Sequence, residues 1–232
     1  MRRLALVLGV AALLLLSSGA AAARARRIVL GRSVDGRPIV AAELGNPASA
    51  RKVLVVGAVH GNEPAGIAIA DLLISRQAIR GVDLWVVPSF NPDGVAAGTR
   101  GNAHGVDLNR NFPWRWRPLS GVYYSGAHPL SEPESRIAYR FLGRLRPAIS
   151  IWFHQHLDVV DESGGSVAVE RRFAALVGLR VARLTREPGS VVGWENERIH
   201  GGTAFVVELP AGSLRPAATA RFAHAVDAIA AR

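Results

Sequence analysis

His60-Gly61-Asn62-Glu63 sets an imidazole and a carboxylate three residues apart. Straddling a turn, the two side chains can point at one ion, and a glycine between them lets the backbone bend tightly. A third ligand has to come from elsewhere, and His154 is the candidate. Two His and one Glu leave a fourth coordination position open, the pattern of catalytic rather than structural zinc. Glu208 lies in Phe205-Val206-Val207-Glu208-Leu209-Pro210, a stretch otherwise of buried character, where an ionised carboxylate needs a partner. Beside a zinc-activated water it can accept a proton and hand it to a leaving amine. Thr99–Asn102 and Gly105–Phe112 pack Arg100, Asn109 and Arg110 among glycines with little helical or strand pattern. Arginine is the fork suited to a carboxylate or a developing oxyanion. A loop of this length inside one domain usually has a function.

A lone His-x-x-Glu pair is common by chance, so the weight rests on where the elements deliver these residues. Arg27–Leu30 and Pro38–Leu44 flank Asp35-Gly36, a hairpin signal. Lys52–Val59 is a near-continuous apolar run, as in a strand buried on both faces, and it leads into His60. A helix follows with Pro64 at its start and Ile67, Ala70 and Ile74 on its apolar face. Asp83–Val87 reads as a second buried strand running toward Asn91-Pro92-Asp93-Gly94. Ser131-Glu132-Pro133-Glu134 reads as a capping box opening a helix lined by Ile137, Phe141 and Leu145. Ala148–Phe153 is a third strand, ending at His154. Phe173, Val177, Val181 and Leu184 line another helix, Thr203–Val207 is a fourth strand ending at Glu208, and Phe222, Val226 and Ile229 line a closing helix. Alternating strands and helices predict a single α/β domain with a mixed, largely parallel sheet and helices on both faces. Ligands of such sheets sit beyond the carboxyl ends of the strands, where His60, Glu63, His154 and Glu208 all fall.

Composition narrows the chemistry. The 232 residues hold no cysteine, which excludes a disulfide scaffold, thiolate zinc ligands and a thiol nucleophile. The net charge of +10 rests almost wholly on arginine, and no run of five basic residues forms a nucleic-acid tail. Trp114-Arg115-Trp116-Arg117 interleaves aromatic and basic residues but reads more simply as a rim beside a cleft than as a strand-stacking surface, so no nucleic-acid partner is expected. Residues 1–25 carry Arg2 and Arg3, the apolar run Leu4 to Leu16 and small residues at Ala21-Ala22-Ala23, the pattern of a secretory signal peptide. The expected catalytic domain is then 26–232, exported to the periplasm, cell-wall space or medium, with no stable membrane anchor after cleavage.

The series His60-Gly61-Asn62-Glu63, Asn91-Pro92-Asp93-Gly94, Gly105-Val106-Asp107-Leu108-Asn109-Arg110-Asn111-Phe112, His154 and Glu208 resembles, in order, the zinc carboxypeptidase family. The resemblance covers roughly residues 50 to 210 and implies that fold. It implies one zinc ion held by His60, Glu63 and His154, with Glu208 as general base and acid. It further implies Arg100 as stabiliser of the oxyanion and Asn109 and Arg110 as the grip on the substrate's carboxylate. Asn111-Phe112-Pro113-Trp114, Tyr124-Ser125-Gly126 with Ser131-Glu132-Pro133-Glu134, His154-Gln155 and Val207-Glu208-Leu209-Pro210 are similar to the bacterial murein peptide amidases, which cleave between D-glutamate and diaminopimelate. A peptide or muropeptide substrate follows, met at the cell wall by an exported enzyme. The alternatives are an ordinary carboxypeptidase, an N-acyl amino acid deacylase, or an inactive wall-binding module. Digestive-type members place a tyrosine some 20 residues before the catalytic Glu; here no tyrosine follows Tyr139, and Glu187 stands near that place. His156 replaces an expected proline, and Asp158, Asp161 and Glu162 form either a lure for a cationic group or a solvated acidic loop.

Overall fold

Val53, Leu54, Val55 and Val56 leave their strand without a polar face, and all four side chains are inaccessible to solvent. A computed structural model, which describes residues 25–77, 79–185 and 187–231, accounts for this: the strand is central in a sheet covered on both sides. The leader reading over residues 1–25 falls, except for Ala25, outside the described residues.

The strands are β1 (Arg26–Arg32), β2 (Pro38–Gly45), β3 (Lys52–Val56), β4 (Asp83–Val87), β5 (Ile149–Gln155), β6 (Val159–Asp161), β7 (Arg180–Ala182) and β8 (Thr203–Leu209). Their order across the sheet is β1-β2-β4-β3-β5-β8-β6-β7. The centre, β4-β3-β5-β8, is parallel, while β1, β2 and β6 join antiparallel. The helices are α1 (Ala65–Ser75), α2 (Pro92–Ala97), α3 (Pro133–Leu145), α4 (Val167–Val177), α5 (Val191–Arg198) and α6 (Pro216–Ala230).

Because strand side chains alternate between faces, each central strand feeds two cores. Val53, Val55, Ile151 and Phe153 meet Ile69 and Leu73 of α1, Phe173 of α4 and Phe222 and Val226 of α6. Leu54, Val56 and Trp152 meet Ile137 and Leu142 of α3 and Val191 and Trp194 of α5 on the other side. The predicted mixed sheet with helices on both faces is therefore the observed one.

Several local expectations change. The run Lys52–Val59 is a strand only to Val56; Gly57-Ala58-Val59 then leaves the sheet, with Gly57 N donating to Val87 O at 2.9 Å. The buried face of α1 is Ile69, Ala70 and Leu73, with Ile67 and Ile74 only half-buried, because a helix apolar nearly all round has no unique stripe. The capping box at α3 does not form: Glu132 occupies the cap position, but its side chain makes no bond to the helix and instead binds Asn102, His104 and Ser131. The helix read through Leu184 stops at Val177, where Gly178 takes a left-handed φ of 72°; Val181 lies in β7 and Leu184 beyond it.

Candidate active site

β3, β5 and β8 end side by side, and the site stands at their carboxyl ends. His154 and Glu208 are register partners across the parallel β5–β8 pair, so their side chains share one face of the sheet. His60 lies on the turn after β3 and Glu63 just before α1. Gly61 holds this turn against the next one: a Cβ on it would lie 1.9 Å from the carbonyl carbon of Gly94 in α2. The chain does turn here, with Glu63 N donating to His60 O at 3.2 Å, and the glycine is required in addition for close approach between two loops. Gln155 staples the arrangement, accepting from Ala65 N at 3.0 Å and donating to Pro210 O at 2.9 Å and Gly212 O at 2.8 Å.

Glu63 is the hub. Its Oε2 lies 3.0 Å from Nδ1 of His60 and 3.0 Å from Nδ1 of His154. Its Oε1 accepts from Arg100 at 2.9 Å. The imidazole centroids are 4.8 Å apart, and one ligand atom from each of His60, Glu63 and His154 falls within 4.8 Å of the others. His60 Nδ1 is buried and makes no hydrogen bond, although it faces the carboxylate. A buried ring nitrogen without a hydrogen bond, beside a second imidazole and a carboxylate, is the donor set that a single zinc ion satisfies. These residues fit that ion.

Asp107, quoted in the sequence motif without a role, orients two of these groups. It accepts from His60 Nε2 at 2.9 Å and from Arg100 Nε at 2.9 Å. Bonding the far nitrogen of a ligating histidine fixes the ring and its tautomer. Burial would push the Asp107 carboxyl up, but His60, Arg100 and Arg110 outweigh it and hold the group well below the usual carboxylate range. Glu63 behaves the same way, with His154 and His60 overcoming its burial, so both carboxylates are ionised. His60 is raised because Asp107 and Glu63 outweigh the desolvation of its ring. Glu208 moves the other way: burial and the charge of Glu63 raise its carboxyl against the pull of His154, and its Oε2 is buried without a hydrogen bond.

A cleft of about 600 Å³ holds His60, Glu63, His154, Arg100, Asn109, Arg110 and Glu208 together. Every predicted site residue is therefore in one cavity. Asn109 is buried and its Oδ1 accepts from Val191 N at 3.0 Å, which leaves the Nδ2 donors for a ligand. Arg110 is buried too, with Nε unpaired and one guanidinium nitrogen donating to Asn109 O at 3.0 Å. Its loop is strapped to the segment before α5, where Phe112 N donates to Gly189 O at 3.0 Å and Gly189 N to Trp114 O at 2.7 Å. Of the tryptophan rim only Trp114 lines the cleft, while Trp116 bonds Ser125 O at 3.2 Å. Glu187 and His156 line the cleft. From the acidic loop only Asp161 does, and it is already engaged by Leu184 N and Ser163 Oγ at 2.7 Å each; Glu162 faces Arg171 and Arg183.

Comparison with known proteins identifies the family and the fold. Residues 17–160 match the zinc carboxypeptidase family. Murein peptide amidase A of Escherichia coli K12 is 31% identical over 147 residues, an overlap of 57% of this chain and 60% of that protein. The Vibrio campbellii protein of the same name is 30% identical over 197 residues, 78% of this chain and 77% of that one. Among solved structures, the murein-tripeptide amidase of Escherichia coli O157 superposes with a TM-score of 0.75 at 26% identity, covering 89% of this chain and 92% of that one. A carboxypeptidase A from Helicoverpa armigera shares the fold at a TM-score of 0.77 and 19% identity, over 89% of this chain and 68% of that one.

Proposed function

The chain belongs to the zinc carboxypeptidase family, and on that premise we propose that it hydrolyses a peptide or isopeptide bond beside a free carboxylate, most closely the D-glutamyl–diaminopimelate bond of murein peptides. The observation that supports the reading best is one cleft holding a two-His, one-Glu ligand set, an unpartnered Glu208 carboxylate oxygen and two arginines.

Zinc bound by His60, Glu63 and His154 would supply a Lewis acid that polarises the scissile carbonyl and acidifies a water. The protein's own groups do the rest. Arg110 and the Nδ2 of Asn109 bind the substrate's carboxylate and so fix which bond lies over the site. Arg100, held by Glu63 and Asp107, presents its remaining guanidinium donors to the oxygen of the carbonyl as negative charge develops on it. Glu208 takes the proton from the attacking water and delivers it to the departing amine; its raised carboxyl favours holding that proton between the two steps. Asp107 keeps His60 and Arg100 aimed.

The murein preference rests on the amidase relatives, whose names state that substrate class. An ordinary C-terminal peptide is the second reading, favoured by the shared carboxylate grip. The leader composition supports export, so that protein recovered outside the cytoplasm is expected to begin after the Ala21–Ala25 segment on N-terminal sequencing. The deciding test incubates the full chain, loaded with zinc, with defined muropeptides and with N-acylated dipeptides, and reads products by mass spectrometry. Release of diaminopimelate-containing product from murein tripeptide, abolished by chelation, is the expected result. Cleavage confined to ordinary dipeptides overturns the murein assignment, and turnover that survives rigorous zinc removal overturns the mechanism.

A further inference from the structure

Tyr123 is a large aromatic left half-open at 49% exposure, yet it is not an isolated surface ring. The guanidinium carbons of Arg100 and Arg110 both lie 5.3 Å from its ring centroid, and the ring lines the same cleft. Two arginines aimed into one cavity repel each other, and a shared π face attracts both. The two differ in what else restrains them. Arg100 is bonded to Glu63 and Asp107. Among the described residues no carboxylate bonds Arg110; it donates to the carbonyl of its neighbour, and its buried Nε is unpaired.

The segment carrying Tyr123 is built to hold the ring in place. It is a short turn of 3-10 helix, Gly121–Tyr123, closed by Tyr124 N donating to Gly121 O at 3.1 Å. Tyr124 O accepts from Asp107 N at 2.8 Å, which ties the turn to the residue that orients His60 and Arg100. Asn111 Nδ2 donates to Ser125 O at 2.7 Å, tying it again just beyond Arg110.

We propose that Tyr123 is a positioning residue for substrate recognition: its ring, not its hydroxyl, keeps Arg110 aimed at the substrate's carboxylate. This deepens the carboxylate-grip reading above and rests on it. Because Arg100 has carboxylate partners and Arg110 has none, removing the ring acts on binding and leaves the chemical step nearly intact.

The test compares Tyr123→Phe and Tyr123→Leu in the full zinc-loaded chain, by two readouts. The first is the nuclear magnetic resonance signal of the Arg110 Nε–H group, assigned by its loss in Arg110→Lys. The ring-current shift is expected to persist in Tyr123→Phe and to vanish in Tyr123→Leu. The second is kinetics on whichever carboxylate-bearing substrate the enzyme turns over. KM is expected to rise roughly five- to twentyfold in Tyr123→Leu, with kcat within about twofold and Tyr123→Phe near the parent. A signal unmoved in Tyr123→Leu overturns the proposal, as does an equal loss in both variants, which would assign the hydroxyl instead. Should the parent turn over no carboxylate-bearing peptide, the functional reading fails, and the resonance alone decides whether Tyr123 holds Arg110.

Discussion

Glu208 and Asp107 are both carboxylates in one cavity, and their surroundings give them opposite tasks. Asp107 is fully engaged by cations and stays ionised; Glu208 has a buried oxygen with no donor and is raised by burial. Glu208→Gln preserves shape and removes the proton acceptor, so kcat should fall by roughly 10²–10⁴-fold while zinc content stays at one per chain. Loss of zinc in that variant would mean that Glu208 holds the ion rather than moves a proton. Asp107→Asn should act differently, since it loosens the tautomer and aim of His60. Zinc affinity is expected to drop about 10–100-fold, measured by competition with a chromogenic chelator. An unchanged affinity would remove Asp107 from the metal site.

Elements explain which of these roles could be read from the chain. Gly61 shows the limit: the sequence marks it between two ligands, but its reason is the neighbouring backbone of Gly94, which no spacing reveals. Gly61→Ala should therefore destabilise the fold by about 1–3 kcal/mol in chemical denaturation. Gly143→Ala, in open space inside α3, should stabilise by about 0.5–1 kcal/mol. A Gly61→Ala variant as stable as the parent would show that the Gly94 backbone does not limit that site, and a Gly143→Ala variant no more stable than the parent would remove the helix argument at Gly143. The buried strands β3, β4, β5 and β8 were legible because two-sided burial demands unbroken apolar runs. His60, Glu63, His154 and Glu208 were legible because polar residues at the ends of such runs are conspicuous. The three-residue strands β6 and β7 carry too few side chains to show a period, and the six-residue α2 begins within the turn-like Asn91-Pro92-Asp93-Gly94. There Asn91 caps Gly94 N at 2.9 Å, while Asp93 reaches back to the β1–β2 turn, bonding Ser33 Oγ at 2.7 Å and Asp35 N at 3.0 Å. Asp107 and Tyr123 act wholly across space, so their roles needed coordinates.

At the scale of the molecule, the sheet carries the site on one edge and two cores on its faces, and one of those cores contains a titratable group. Glu195 of α5 is 2% exposed, accepts from Ser150 Oγ and Trp152 Nε1 at 2.6 Å each, and so sits against β5, the strand that carries His154. Burial pushes its carboxyl up to about 7, against the pull of those two donors. The native state therefore holds the proton over a range in which the unfolded chain, with a carboxyl near 4.5, has lost it. Stability from this group is complete below about pH 4.5, declines as the pH rises toward 7, and is constant above. The full loss is on the order of 3 kcal/mol. Glu195→Gln keeps an acceptor for Trp152 and a donor for Ser150 and carries no charge to bury. Against the parent it should be nearly neutral in denaturation at pH 5 and more stable at pH 8, with the difference growing between those values. A parent and variant whose stabilities run parallel across that range would show that Glu195 stays ionised in the core, and that the two hydrogen bonds alone offset the cost of burying its charge.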